Sequence, residues 1–200
     1  MKNIIFDLGG VILNIDYLRT SKAFKELGHA NFDDLYTQAS QTPLFNLFET
    51  GKISEVNFFG QLAAELHSTC SLDELKNAWN AMLLGLPVER MEKLNELNKT
   101  HSIFLLSNTN ETHVKAFQKI VEQQYGYAQF LSTFHTTYYS NEIGMRKPDA
   151  EVFEFVLDQH NLKPEDTLFI DDSIQHIKGA QQCGLHTHHL TPSETILDLF

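Results

Sequence analysis

The sequence predicts an α/β fold, a parallel sheet with crossover helices and an all-helical unit inserted after the first strand. Two observations carry the prediction. Strand and helix signals alternate along the chain, as they do in βαβ units, and one long stretch after the first strand signal has no comparable strand of its own. A third observation bears on function: polar residues gather where the strand signals stop, and in open parallel sheets ligands bind at the carboxyl ends of strands.

The first strand is read in residues 3–7, where the apolar run Asn3-Ile4-Ile5-Phe6 closes on Asp7 and opens onto Leu8-Gly9-Gly10. Glycines there let backbone amides approach an anion. Further strands are expected at 102–107, 134–139, 168–171 and 186–190. In the stretch after the first strand, Phe58, Leu62, Ala63 and Leu66 recur at helical spacing, with turn signals at Thr42-Pro43 and Gly51. Phe45, Phe48, Phe58, Phe59 and Trp79 are enough for a small hydrophobic core of its own. The expected division is therefore a core of residues 1–14 and 87–200 with a helical cap of residues 15–86.

Helix ends in the second half are well marked. Asn108 or Asn110 caps a helix through Val114, Phe117 and Val121, and Pro148 stands in the first turn of one carrying Val152, Phe153, Val156 and Leu157. Ser173 caps a third that ends near Gly184.

Composition narrows the function. A chain of 200 residues with 42% hydrophobic residues can bury a sizeable core. Its net charge of −11 disfavours nucleic acid and anionic membrane surfaces as partners, since both select basic patches. That charge also repels phosphorylated substrates, so chemistry on them needs a local cation, either a lysine or a metal held by carboxylates. No apolar stretch approaches the roughly 20 residues of a membrane span, and the N-terminus lacks the basic region of a signal peptide, so a cytoplasmic location is expected. Cys70 and Cys183, far apart and without ligand spacing, read as reduced thiols.

The residues at the strand ends suit phosphoryl transfer. Asp7 can attack phosphorus and form an aspartyl-phosphate, and Asp171 with Asp172 on a neighbouring strand adds hard oxygens that favour Mg²⁺. Taken singly, Asp171-Asp172 is a turn or helix cap and Lys147 a solvated charge. Joint placement reverses that reading. His186, His188 and His189 read as packing or solvated positions of a terminal strand rather than as a second metal site, because structural zinc needs four well-spaced ligands.

The segments Phe6-Asp7-Leu8-Gly9-Gly10-Val11, Leu105-Leu106-Ser107-Asn108, Met145-Arg146-Lys147-Pro148 and Phe169-Ile170-Asp171-Asp172-Ser173, in this order, resemble the four motifs of the haloacid dehalogenase-like hydrolase superfamily. The helical insert between the first and second segments matches its subfamily I, and the closer likeness is to bacterial phosphatases of α-D-glucose 1-phosphate. The resemblance implies a Rossmann-like three-layer core, Asp7 as nucleophile, and a Mg²⁺ site formed by Asp7, the Gly9 carbonyl and Asp172, with Asp171 acting through a water. It further implies that the Ser107 hydroxyl, the Asn108 amide and Lys147 bind the phosphate, Lys147 also pairing with Asp7. The partner is then a small phosphorylated metabolite.

One departure stands out. Most phosphatases of this superfamily carry a second aspartate two residues after the nucleophile, as general acid and base, and Gly9 occupies that position here. Its loss removes about 10²- to 10⁴-fold of catalysis for leaving groups that need a proton, which favours a sugar 1-phosphate. Two other readings stay open: a metal-free 2-haloacid dehalogenase, which the acidic pair argues against, and a catalytically weak binding protein, which the intact Asp7, Lys147 and Asp172 argue against.

Overall fold

Five strands, Asn3–Phe6 (β1), Ser102–Ser107 (β2), Thr136–Tyr139 (β3), Thr167–Asp171 (β4) and His186–His189 (β5), form one sheet in the order β3-β2-β1-β4-β5. Every pairing is parallel. The computed structural model describes residues 1–36 and 42–200. The register sets Phe6 level with Leu105 and Ile170, and the Asp7 N–H donates to the Ile170 carbonyl at 2.9 Å. Asp7 therefore leaves the central strand at the rim where β2 and β4 also end.

Helices α1 (Tyr17–Glu26), α2 (Pro43–Glu49), α3 (Glu55–Glu65) and α4 (Leu72–Asn80) lie between β1 and β2, followed by α5 (Val88–Leu97). After β2 come α6 (Glu111–Gln124) and α7 (Tyr127–Ser132); α8 (Ser140–Ile143) and α9 (Ala150–His160) follow β3, and α10 (Ile174–Gln182) follows β4. Alternation along β1 explains the layering. Ile4 and Phe6 pack with Met91, Leu94, Phe117 and Phe130 of α5, α6 and α7, whereas Ile5 packs with Phe104, Phe153, Val156 and Ile177 toward α9 and α10.

The insert has a cluster of its own, with Phe24, Phe45, Phe48, Phe58, Phe59 and Trp79 all essentially inaccessible. Residues 37–41 lie outside the described residues. The chain enters and leaves the insert side by side: Asn14 N–H donates to the Gly85 carbonyl at 2.8 Å and Asp16 N–H to the Met82 carbonyl at 2.9 Å. A second contact lies at Gly51, where φ is +65° and an added Cβ would stand 2.1 Å from the Asn141 carbonyl oxygen. Only glycine fits there.

Of the two caps expected for α6, Asn110 is the one used, accepting from His113 N–H at 3.0 Å; other helix ends differ in detail from the expectation. Pro148 precedes the first turn of α9, whose N-cap is Asp149, because Asp149 N–H closes a turn onto the Arg146 carbonyl at 3.1 Å. Ser173 holds the N-cap position of α10 without a side-chain cap; its N–H donates instead to Asp171 Oδ1 at 2.7 Å. The third strand begins at Thr136 rather than at Phe134, which is buried against α7 and outside the ladder. Cys70 and Cys183 are free thiols, and among the described residues no helix is long and apolar enough to cross a membrane.

Helix α10 touches the loop after Lys147 closely: a Cβ on Gly179 would lie 2.3 Å from the Pro148 carbonyl oxygen and 3.0 Å from its Cβ. Gly179→Ala should therefore destabilise the fold by about 1–3 kcal/mol, the usual cost of overpacking, although alanine is the better helix former. Urea denaturation checks it, and a variant at least as stable as the parent would contradict the tight contact.

Candidate active site

Lys147 organises the strand-end rim. Its side chain has no exposure, and its ammonium donates to Asp7 Oδ1 at 2.7 Å, to Asp171 Oδ2 at 2.7 Å and to the Leu106 carbonyl at 2.8 Å. An ammonium has three N–H groups, so all are committed to protein acceptors. The Asn108 side chain holds the lysine's backbone from both sides, donating to the Lys147 carbonyl at 2.8 Å and accepting from its N–H at 2.9 Å. Sequence-distant segments thus meet through paired amides.

Asp171 is equally committed. Oδ1 accepts from Ser173 N–H at 2.7 Å, and His176 Nδ1 lies 3.0 Å from both carboxylate oxygens. Burial disfavours its charge, but Lys147 and then His176 outweigh that and hold its pKa down to about 2. Burial also raises the pKa of Asp7; Lys147 pulls it down, the negative charge of Asp171 pushes it back up, and the net direction is upward. Lys147 itself is favoured in its charged form, because the two carboxylates overcome its own burial penalty.

Of the residues proposed from sequence, Asp7, Gly9, Ser107, Asn108 and Asp172 line one cavity of about 200 Å³, while Lys147 and Asp171 lie buried just behind it. Carboxylate oxygens of Asp7, Asp171 and Asp172 all lie within 4.8 Å of one another. Gly10 rather than Gly9 carries the left-handed backbone, with φ of +76°, and a Cβ there would sit 2.6 Å from Asp172 Oδ2. At Gly9 the conformation is ordinary, and an added Cβ would meet the Ile15 Cδ1 methyl at 2.9 Å. Ile15 therefore fills part of the volume a second aspartate would need.

The C-terminal histidines do not join this cluster as ligands. His189 Nε2 lies 3.0 Å from the Asp172 carbonyl oxygen, and His188 Nε2 lies 3.8 Å from Glu194. Residues given no individual role from the sequence complete the cavity: Tyr17, Tyr36 and Glu49 from the insert, with His113, Arg146 and His176 from the sheet side. Arg146 adjoins Lys147 in sequence and His176 follows the Asp171-Asp172 pair, so both had a local signal. The other four did not, because their approach depends on how the insert docks.

His113 shows how the docking is fixed. Its ring stacks on Trp79 with centroids 4.7 Å apart, Nε2 lies 3.2 Å from the Trp79 carbonyl oxygen, and Trp79 Nε1 donates to Asn110 Oδ1 at 3.4 Å. Burial, only partly offset by that carbonyl, lowers the His113 pKa to about 4.

The chain is similar to known proteins over nearly its whole length. A family model described as haloacid dehalogenase-like hydrolase matches residues 1–184. The D-ribitol-5-phosphate phosphatase of Bacteroides thetaiotaomicron is 31% identical over 187 residues, 94% of this chain and 90% of that protein. A sesquiterpene phosphatase of Aspergillus oryzae is 29% identical over 194 residues, covering 96% and 91%. In three dimensions, a mutant of a HAD family enzyme from Bacteroides thetaiotaomicron, crystallised with magnesium and inorganic phosphate, superposes with a TM-score of 0.93 at 31% identity, covering 100% of this chain and 98% of that one.

Two outcomes follow from the buried charges. Lys147→Met leaves two buried carboxylates unpaired and should cost about 3–5 kcal/mol at pH 7, less at pH 5 where the carboxylates can take up protons; urea titrations at the two pH values test both statements. For His113 the unfolded chain takes up its proton near pH 6.5 and the native state only near 4. Its contribution is whole above pH 6.5 and is lost as pH falls from there through 4, on the order of 3 kcal/mol in total. The melting temperature of His113→Gln should therefore fall less steeply over that interval than that of the parent.

Proposed function

The chain belongs to the haloacid dehalogenase-like hydrolase family, and from that premise we propose that it is a Mg²⁺-dependent phosphatase of small sugar or polyol phosphates. Residues 15–86 act as a cap over a core of residues 1–14 and 87–200. The observation that carries the reading is Lys147, fully buried and shared between Asp7 and Asp171 at 2.7 Å each, with Asp172 beside them on the cavity wall.

Asp7 attacks phosphorus, its carboxylate oxygen forming the new P–O bond while the ester oxygen departs and takes a proton from water. A water molecule then attacks the aspartyl-phosphate, releasing inorganic phosphate and returning Asp7 to its carboxylate form. Lys147 keeps the nucleophile ionised and in place. Because its three N–H groups are already spent on protein atoms, its effect on the phosphate is mainly one of charge. The Ser107 hydroxyl and the Asn108 backbone N–H, at the carboxyl end of β2, bind the phosphoryl oxygens.

A divalent cation fits the remaining donors. Asp7 and Asp172 offer hard oxygens to the cavity within 4.8 Å, and a cation there would favour the ionised form of Asp7, whose proton affinity burial and then the charge of Asp171 raise. Asp171 contributes from behind through Lys147, since protein donors occupy both its oxygens. When bound, Mg²⁺ supplies charge neutralisation at the phosphoryl group and its leaving oxygen. This acidic set also disfavours the metal-free dehalogenase reading. Among substrates, the related D-ribitol-5-phosphate phosphatase and the small cavity point to a short hydroxylated leaving group. With Gly9 in place of an acid and Ile15 beside it, sugar 1-phosphates should outrun primary alkyl esters.

Turnover of p-nitrophenyl phosphate, abolished by EDTA and restored by Mg²⁺ but poorly by Ca²⁺, is the expected result for the purified protein. Asp7→Asn should lower kcat by at least about 10³-fold with the fold intact by circular dichroism, since an amide of the same shape cannot attack phosphorus. Metal-independent activity, or a variant within tenfold of the parent, would sink the mechanism. A series of leaving groups should also show rates that fall steeply as leaving-group pKa rises, whereas a flat series would reveal a hidden acid.

A further inference from the structure

The wall of the cavity supplied by the insert and by Arg146 carries polar groups that the phosphoryl chemistry does not use. Arg146 Nη2 pairs with Glu49 Oε2 at 3.0 Å, with side-chain exposures of 20% and 11%, and its Nη1 lies 3.4 Å from Asn46 Oδ1. Arg146 Nε is buried with no acceptor. Tyr17 and Tyr36 line the same cavity. Burial comes first in keeping both tyrosines protonated, and the negative charge of Glu49 acts on both in the same direction. The wall therefore presents hydroxyl and guanidinium donors beside a carboxylate acceptor.

Resting on the phosphatase reading, we propose that Arg146, Glu49, Tyr17 and Tyr36 form a hydroxyl-recognition subsite that selects a small neutral polyol or sugar as the leaving group. A polyol hydroxyl both donates and accepts, so adjacent hydroxyls can bridge the tyrosine hydroxyls and the paired Arg146 and Glu49. A half-buried ion pair is a poor device for stability alone, because desolvation offsets its attraction. An apolar leaving group would cover these polar groups and offer the tyrosine hydroxyls and the guanidinium no hydrogen bond, and sites built for hydroxyls reject analogues lacking them by about 10⁴- to 10⁵-fold. Size acts in the same direction. The cavity of about 200 Å³ lies below the ~300 Å³ at which pockets for drug-sized ligands begin, so a terpenyl chain fits it poorly.

The competing account is a purely structural latch that ties α2 to the loop before Lys147. Steady-state kinetics on D-ribitol 5-phosphate and p-nitrophenyl phosphate separate the two. In Glu49→Gln and Tyr36→Phe, the ratio of kcat/KM for D-ribitol 5-phosphate to that for p-nitrophenyl phosphate should fall at least tenfold, mainly through KM for the polyol ester. Equal losses on both substrates, or an unchanged ratio, overturn the subsite in favour of the latch. Tyr36→Phe keeps the ring against Phe45 and Trp79, so it remains informative where Glu49→Gln fails to fold. The parent enzyme should hydrolyse D-ribitol 5-phosphate at least 100-fold more efficiently than farnesyl phosphate, and the reverse preference overturns the subsite. Absence of any turnover of p-nitrophenyl phosphate by the parent would instead defeat the phosphatase reading on which the subsite rests.

Discussion

The structure depends on one buried ammonium. Lys147 has no contact with solvent, and its charge is tolerable only because Asp7 and Asp171 stand 2.7 Å away on adjacent strands and the Leu106 carbonyl takes the third N–H. Removing a charge from water costs several kcal/mol, so each member of this group requires the others. Since Asp7 follows β1, Asp171 ends β4 and Leu106 lies in β2, the same constraint ties the three central strands together where they end. The Asp7 carboxylate is thus held by the interaction that aligns the sheet.

Around that point, polar groups take graded positions. Asn108 fixes the backbone of Lys147, His176 and the Ser173 amide fix Asp171, and Asp172 faces the cavity. Gly10 lets the chain turn without intruding on Asp172, and Gly179 lets α10 approach Pro148. The glycines matter here because of the side chains they lack.

The insert closes the other side of the cavity through contacts of a different kind. Its aromatic cluster is its own, and its contacts with the rest of the chain include the paired backbone at residues 14–16 and 82–85, the stack of Trp79 on His113, the hydrogen bond from Thr112 Oγ1 to Glu55 at 2.8 Å, and the pairing of Glu49 with Arg146. The insert and the sheet both line the cavity, so the position of the insert and the shape of the cavity are coupled.

Much of this was legible in the sequence because it is local. Alternating Ile4, Ile5 and Phe6 announce a strand buried on two faces, Phe58, Leu62 and Leu66 a helix, and Asp7, Ser107 and Asp171-Asp172 mark strand ends by chemistry as well as by position. Spacing alone was enough to bring the acidic residues to one rim. What the sequence could not decide was the engagement of both Asp171 oxygens by protein donors, the commitment of every Lys147 donor to protein, or the neighbours Tyr17, Tyr36, Glu49 and His113. Periodicity and turn chemistry act over a few residues and so survive in one dimension. Docking of the insert joins residues separated by 97 positions, as with Glu49 and Arg146, and is decided only when competing burial and charge are satisfied together in the folded chain.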